Sequence, residues 1–533
     1  MQNVEIITLL LFVTTFLALL SYRFRFPFPV VLVTAGLAIS LIPGLPVIAL
    51  QPNVVFLIFL PPLLYAAAWN ISWRDFKANI RPIIMAAIGL VFFTTTCIGV
   101  LVHWLVPGVG WPVAFLLGAI ISPPDAVAAA AITKGLGLHP RIVAILEGES
   151  LLNDASALIA FKYALAAVLA GSFSLGDASL DFLKVFGGGI LTGLVVAYPL
   201  YLLHKMLVND SVIDVTLTFL APFASYLLAE RFHFSGVLAV VVTGLYLSFR
   251  SAEIFTNESR IQGYAVWDVV VFILNALVFI LMGLQLRPIV QHFEPGEVGR
   301  LVLYGTIIGL AALIIRLVWV IPAAILPRVL SKRIREREAF DKRNIAVFGF
   351  AGIRGIVSMA AALSLPLSLS TGEPFPFRAE CIFLTFVFIV FTLLAQGLPM
   401  PWLIKLLKLP KHSILSEEYD VREGILKKVQ EYIEKDCTGV AAEAKEMLLS
   451  NYKVRYHLLQ QSHLPKIKKG QKLSAATQIF NQFAEAQLEL LGLERTLTNE
   501  MRKKGHAAEE VLRKLEREID LEEARLRLEL YVE

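Results

Sequence analysis

A chain of 533 residues that is 57% hydrophobic and only 17% charged, with a positive mean hydropathy, is too apolar for a soluble enzyme and reads as a polytopic membrane protein. Its formal net charge is +5, and its Lys and Arg gather in certain loops and in the C-terminal quarter, which bears on membrane topology and not on nucleic-acid binding. Cys97, Cys381 and Cys437 lack metal-ligand or CxxC spacing, which argues against zinc sites and disulfides.

Apolar stretches of about 20 residues, the length that crosses a bilayer as a helix, recur from the N-terminus to about Leu407. The pattern predicts an all-α protein of about 13 transmembrane helices, near 4–20, 29–42, 53–69, 81–105, 112–133, 142–170, 183–207, 212–229, 235–249, 266–286, 298–326, 344–365 and 379–403. The first stretch follows Glu5 without a basic flank or a small-residue cleavage site, so it reads as a retained span.

Basic residues test this count, because Lys and Arg collect on the cytoplasmic side. Arg23 and Arg25 follow the first span, Arg74 and Lys77 the third, Lys134 and Arg141 the fifth, Lys205 the seventh, and Arg250 and Arg260 the ninth. A dense cluster from Arg328 to Arg343 follows the eleventh, and the intervening connections carry only Arg231, Arg287, Arg300 and Arg378. An odd span count then predicts an N-terminus outside and a cytoplasmic C-terminus.

The fifth span contains Ser122-Pro123-Pro124-Asp125-Ala126. Consecutive prolines remove backbone donors and free carbonyls at membrane depth, where they are tolerated only if re-satisfied or lining a cavity. The sixth span contains Glu149-Ser150-Leu151-Leu152-Asn153-Asp154. Ser150 and Asp154 share one helix face, as do Glu149 and Asn153, giving two adjacent polar stripes. A carboxylate at this depth costs at least ~2.5–3.5 kcal/mol and marks an ion or proton path. A hydroxyl and a carboxylate on one stripe offer hard oxygen ligands to a small cation, with no His/Cys cluster of the transition-metal kind. Further along the same span, Lys162 is expected to snorkel outward.

In the eleventh span Arg316 reads as a structural partner or an interfacial residue. The twelfth contains Gly349-Phe350-Ala351-Gly352-Ile353-Arg354-Gly355, a glycine-loosened helix around an arginine. A buried arginine needs a carboxylate, so Glu149 is expected to pair with Arg354. Paired interruptions in opposite halves of a chain are what inverted-repeat transporters show, with the substrate site between them.

Beyond Lys408-Leu409-Pro410 the composition turns to charged, helix-forming sequence. The chain therefore divides into a membrane domain, 1–408, and a helical tail, 409–533. Leu512, Leu515, Ile519 and Leu526 recur at helical spacing, so 507–530 reads as an amphipathic helix, and the basic stretch 463–472 as a solvated loop or an anionic-lipid contact.

Together, Glu-Ser-Leu-Leu-Asn-Asp at 149–154, Ser-Pro-Pro-Asp-Ala-Val at 122–127 and Gly-Ile-Arg-Gly at 352–355 resemble the sodium/proton exchangers of the monovalent cation/proton antiporter group, NhaP-like branch. The resemblance covers the membrane region, and the tail is similar to that of long bacterial members. It implies a homodimer in a bacterial inner membrane, with a dimerisation part, a mobile core part, and the fifth and twelfth spans crossing as unwound helices. It also implies that Asp154 alternately holds a cation and a proton, completed by Ser150, Asp125 and the backbone at Pro124, with Glu149 and Arg354 as buried support. Asn153 stands where electrogenic relatives carry the first aspartate of a pair, which implies electroneutral exchange. The family often has threonine where Pro124 stands and proline where Ala126 stands, so here only the carbonyl of residue 124 is on offer to an ion.

Sodium (or potassium or lithium) and protons are then the transported ions, and no cofactor is called for. Potassium/proton exchange is the alternative within the transporter class. An intramembrane aspartyl protease would need Tyr-Asp and Gly-x-Gly-Asp signatures, and no span has either; Tyr419-Asp420 lies in the tail. A membrane sensor would signal through a tail that has no nucleotide motif such as GxxxxGK[ST].

Overall fold

Helix is the backbone form that satisfies its own N–H and C=O groups without water, so a long apolar sequence in lipid resolves into helices. The computed structural model describes residues 2–24, 26–43, 50–125, 138, 140–170, 175–207, 210–330, 342–369, 372–407, 414–435, 437, 440–462, 475–504 and 509–530. The membrane helices, in chain order, are α1 (Gln2–Phe24), α2 (Phe28–Ser40), α3 (Pro52–Asn70), α4 (Ile80–Leu105), α5 (Trp111–Ile121), α6 (Pro140–Ala170) and α7 (Leu175–Leu207). They continue with α8 (Ser211–Arg231), α9 (Gly236–Ile254), α10 (Asn257–Leu284), α11 (Pro295–Leu330), α12 (Lys342–Phe350), α13 (Ile356–Leu363) and α14 (Arg378–Leu406).

Among the described residues ten helices are long and apolar enough to cross a membrane. The other three expected segments are the short helices α2 and α5 and the interrupted pair α12 and α13. The fifth segment, expected to run to 133, is helical over Trp111–Ile121 and open over 122–125, and residues 126–137 lie outside the described residues. The tenth begins at Asn257 rather than 266, because Thr256 caps it, its hydroxyl accepting the Ser259 N–H at 3.1 Å.

The chain divides into two compact units, Met1–Lys411 and His412–Glu533. In the first, buried apolar side chains form two clusters. One joins α2, α5, α10, α13 and α14, and the other joins α3 and α9. Helix α6 belongs to both, through Leu146 in the first and Leu151, Leu152 and Ala155 in the second, so its middle is held from two sides. In the second unit the helices are Ile414–Lys435, Ala442–Ser462, Ala475–Lys504 and Glu509–Leu530. Of the expected amphipathic face, Leu512 and Ile519 are buried there and Leu515 is exposed, and Arg495 reaches Asp520 at 2.5 Å and Glu523 at 2.8 Å. The basic stretch 463–472 lies outside the described residues.

Lipid gives apolar helices no hydrophobic reason to associate, so small residues that let backbones touch carry the packing. At the crossing of α2 and α10, a Cβ on Gly36 would lie 2.5 Å from the Ile280 carbonyl oxygen, and one on Gly283 would lie 2.4 Å from that of Val33. Gly283→Val should therefore force the two helices apart and lower stability by about 1–3 kcal/mol, read as an earlier thermal transition in detergent. Gly176→Ala, where a Cβ meets nothing within 4 Å, should leave the transition in place.

Candidate functional site

Helix α5 ends where the prolines begin. Proline at 123 and 124 has no N–H to continue the helix, and the Ser122 hydroxyl donates to the Ala119 carbonyl at 3.0 Å, the acceptor that the amide of residue 123 would have used. The next carbonyls are taken from a distant part of the chain. Arg354 donates through Nε to the Ile121 carbonyl at 3.0 Å and through Nη2 to that of Ser122 at 3.2 Å.

The twelfth segment opens over Ala351–Gly355, between α12 and α13. Its freed carbonyls meet the first break. The Asp125 N–H donates to the Ile353 carbonyl at 2.7 Å, Arg354 also reaches the Gly352 carbonyl through Nη1, and the Arg354 N–H donates to Thr392 Oγ1 at 3.3 Å. The two interruptions thus complete each other's backbone. Charges follow the helix dipoles. The Arg354 guanidinium caps the C-terminus of α5, and the Asp125 carboxylate lies at the N-terminus of α13, so close to Gly355 that a Cβ there would sit 1.3 Å from Asp125 Oδ2.

Helix α6 runs beside this junction. Ser150 Oγ donates to the Pro124 carbonyl at 3.1 Å and Asn153 Nδ2 donates to the same oxygen at 2.9 Å, both from buried side chains. Asn153 Oδ1 is a buried acceptor with no hydrogen-bond partner among the described residues. Asp154 is 6% exposed, near the midpoint of α6, with Asp125 near enough to act on it electrostatically. No cationic side chain pairs with it among the described residues. Ser156, one turn beyond Asn153, donates to the Ala87 carbonyl at 2.5 Å inside the widened turn Met85–Leu90 of α4, which fixes the rotation of α6.

One pairing differs from the sequence expectation. Glu149 does not bind Arg354; both its oxygens accept from Arg316 of α11, Oε1 from Nη1 at 2.6 Å and Oε2 from Nη2 at 2.7 Å. The reason is geometric competition. Arg354 lies within the break and its donors are consumed by carbonyls that have no other partner there, whereas Arg316 comes from an intact helix and meets Glu149 as a parallel fork. Gly352 sits between the guanidiniums, where a Cβ would approach Arg316 Cδ to 2.8 Å and Arg354 Nη1 to 3.0 Å. The sequence signal for Arg316 was present, a lone charge in an apolar span. Lys162 points outward, as expected, with its side chain exposed, and there it lies 3.7 Å from Glu230 of α8.

Of the expected residues, Asp125, Pro124, Ser150, Asn153 and Arg354 meet around the joined breaks, Asp154 lies one residue beyond Asn153 on α6, and Glu149 stands next to Ser150, turned toward Arg316. Two broken helices that satisfy each other beside a buried carboxylate define a secondary transporter. The sodium/hydrogen exchanger transmembrane family matches residues 7–406. The chain is 32% identical over 523 residues to an uncharacterised sodium/proton exchanger of Escherichia coli, covering 94% of this chain and 95% of that one. It is 32% identical over 449 residues to the sodium, potassium, lithium and rubidium/proton antiporter of Bacillus pumilus, covering 81% of this chain and 66% of that protein. Among solved structures, the sodium proton antiporter MjNhaP1 from Methanocaldococcus jannaschii superposes with a TM-score of 0.59 at 19% identity, covering 78% of this chain and 99% of that one. The chain belongs to the sodium/hydrogen exchanger family, a family of multi-pass ion antiporters that work without a cofactor.

Removing one partner of a buried ion pair strands the other charge, at about 3–5 kcal/mol, whereas replacing both with apolar groups is far milder. Glu149→Gln and Arg316→Met should each sharply reduce folded, monodisperse protein. The double variant Glu149→Leu/Arg316→Met should recover much of the loss, measured by size-exclusion yield and thermal unfolding.

Proposed function

We propose that this chain is an electroneutral sodium/proton antiporter that exchanges one monovalent cation for one proton by alternating access, with Asp154 as the shared site. The observation that carries this reading is the charge inventory around the joined breaks. Glu149 is neutralised by Arg316, Arg354 is spent on backbone carbonyls and Asp125 lies at a helix N-terminus, which leaves Asp154 as the carboxylate without a fixed cationic partner.

A proton or a cation neutralises that carboxylate, and the two compete for it. The bare charged site crosses the low-dielectric barrier at high cost, so only a loaded site moves and the two fluxes are coupled. The ligands we assign to the cation are the Asp154 carboxylate, Ser150 Oγ, the Pro124 carbonyl and Asp125. In binding, the ion displaces one of the two hydrogen-bond donors now held by the Pro124 oxygen, and the unpartnered Asn153 Oδ1 is a further neutral oxygen within the same turn. Asn153, standing where electrogenic relatives carry an aspartate, supports exchange of one cation for one proton, on which membrane potential does no work. Glu149 and Arg354 support the site by fixing α6 and the break.

The distribution of basic residues supports insertion in the bacterial inner membrane with the N-terminus outside and residues 409–533 as a cytoplasmic regulatory tail, and the family resemblance supports a homodimer. A broader selectivity is the second reading. It is favoured by the Bacillus pumilus relative, named as an antiporter of sodium, potassium, lithium and rubidium, and by a ligand set of separate oxygens with no rigid ring to fix ion size.

In liposomes, an imposed sodium gradient should drive protons the other way, at a rate unchanged when the potential is clamped with potassium and valinomycin. Asp154→Asn should abolish coupled flux to background. Potassium or lithium gradients run in the same vesicles set the selectivity, and coupled flux persisting in Asp154→Asn would remove Asp154 from the role given to it.

A further inference from the structure

Beyond Asp154, toward the Ala170 end of α6, the helix borders a cavity of about 160 Å³. Ala155, Leu158, Ile159, Phe161 and Lys162 form its α6 wall, and Tyr226 and Glu230 of α8 stand among the other lining residues. Leu158 and Phe161, four and seven residues after Asp154, place the cavity along the face of α6 that carries Asp154. Lys162 lies eight positions further along α6 from Asp154, about 12 Å at 1.5 Å per residue.

Two charges of opposite sign belong to this wall, on different helices. Lys162 Nζ is 3.7 Å from Glu230 Oε2, with the side chains 55% and 39% exposed. Glu230 is anchored on its own side. Its Oε1 accepts the Gly236 N–H at 3.3 Å, at the N-terminus of α9, where a helix dipole favours a carboxylate. Lys162 has no such anchor, and a half-exposed pair at this distance is weak, so it separates when α6 moves against α8.

An ammonium on the path of a cation is a barrier unless it is neutralised, because a charge held over low-dielectric walls repels like ions along the whole cleft. We propose that the cavity is a cation access route to Asp154 from the membrane face at the Ala170 end of α6, and that Glu230 sets apparent cation affinity on that face by neutralising Lys162. The inference rests on the exchange reading above, since it concerns the route to the same carboxylate. Neither residue touches the site; both act through the potential along the route.

The test uses the full chain in right-side-out and inverted membrane vesicles, with sodium-dependent proton flux as the readout and the apparent KM for sodium as the quantity. Glu230→Gln keeps an oxygen for the Gly236 N–H but strips the counter-charge, and should raise KM by on the order of three- to tenfold. Lys162→Gln should lower it, and Lys162→Gln/Glu230→Gln should return it to within about twofold of wild type. The shifts should appear in KM more than in kcat, and in one vesicle orientation only. Unshifted KM values, equal shifts in both orientations, or a double variant that fails to compensate, against intact wild-type flux, would overturn the role of the pair alone. A wild type that moves no protons on a sodium gradient would overturn the exchange reading, and this role with it.

Discussion

The hydrogen bond from the Asp125 amide to the Ile353 carbonyl joins two breaks that neither segment could survive alone. In hydrocarbon an unpaired backbone group costs several kcal/mol, so a helix interrupted at membrane depth must find partners in protein. Here each interruption supplies the other. The proline-broken segment offers its carbonyls to Arg354 and its amide to Ile353, and the glycine-loosened segment supplies both the guanidinium and the carbonyl. Arg354 thereby satisfies three freed carbonyls with one side chain. Its charge is stabilised less by a counter-ion than by the carbonyl ends of α5 and the ring of Phe388, 5.8 Å away.

From that junction the charge arrangement follows. With Arg354 committed to carbonyls, Glu149 requires another cation and takes Arg316 in a two-point pair. That pair fixes α6 to α11, and the Ser156 contact fixes it to the widened turn of α4. Ser150 and Asn153 then fall on the Pro124 oxygen, which brings Asp154 beside the break without assigning it a cation of its own. A buried carboxylate with no paired cation among the described residues is costly for stability, and that cost supports the proposed exchangeable site.

Much of this was legible in the sequence, for physical reasons that differ from residue to residue. Asp154 stood out because charges are expensive in apolar helices, and the breaks stood out because Pro123-Pro124 and Gly352 with Gly355 disrupt helix in recognisable ways. The Glu-Ser-Leu-Leu-Asn-Asp run, together with the motifs at 122–127 and 352–355, was enough to place the family. The partner of Glu149 was not legible. Two arginines lay in apolar spans, and choosing between them requires the azimuth and depth of helices 167 residues apart in the chain. The same holds for the Pro124 carbonyl as acceptor of Ser150 and Asn153, and for Glu230 of α8 as the partner of Lys162. Span limits failed where polar caps, such as Thr256, carried a helix past its apolar stretch.

The central claim is that sodium and a proton compete for one carboxylate, and proton release on binding tests it most directly. Sodium titrated calorimetrically into the purified protein, in buffers of different ionisation enthalpy, reports the protons displaced per ion bound. Release approaching ~1 proton per sodium as the site becomes fully protonated, lost in Asp154→Asn, is the expected result. Sodium binding whose heat is independent of buffer, with Asp154 intact, would contradict it.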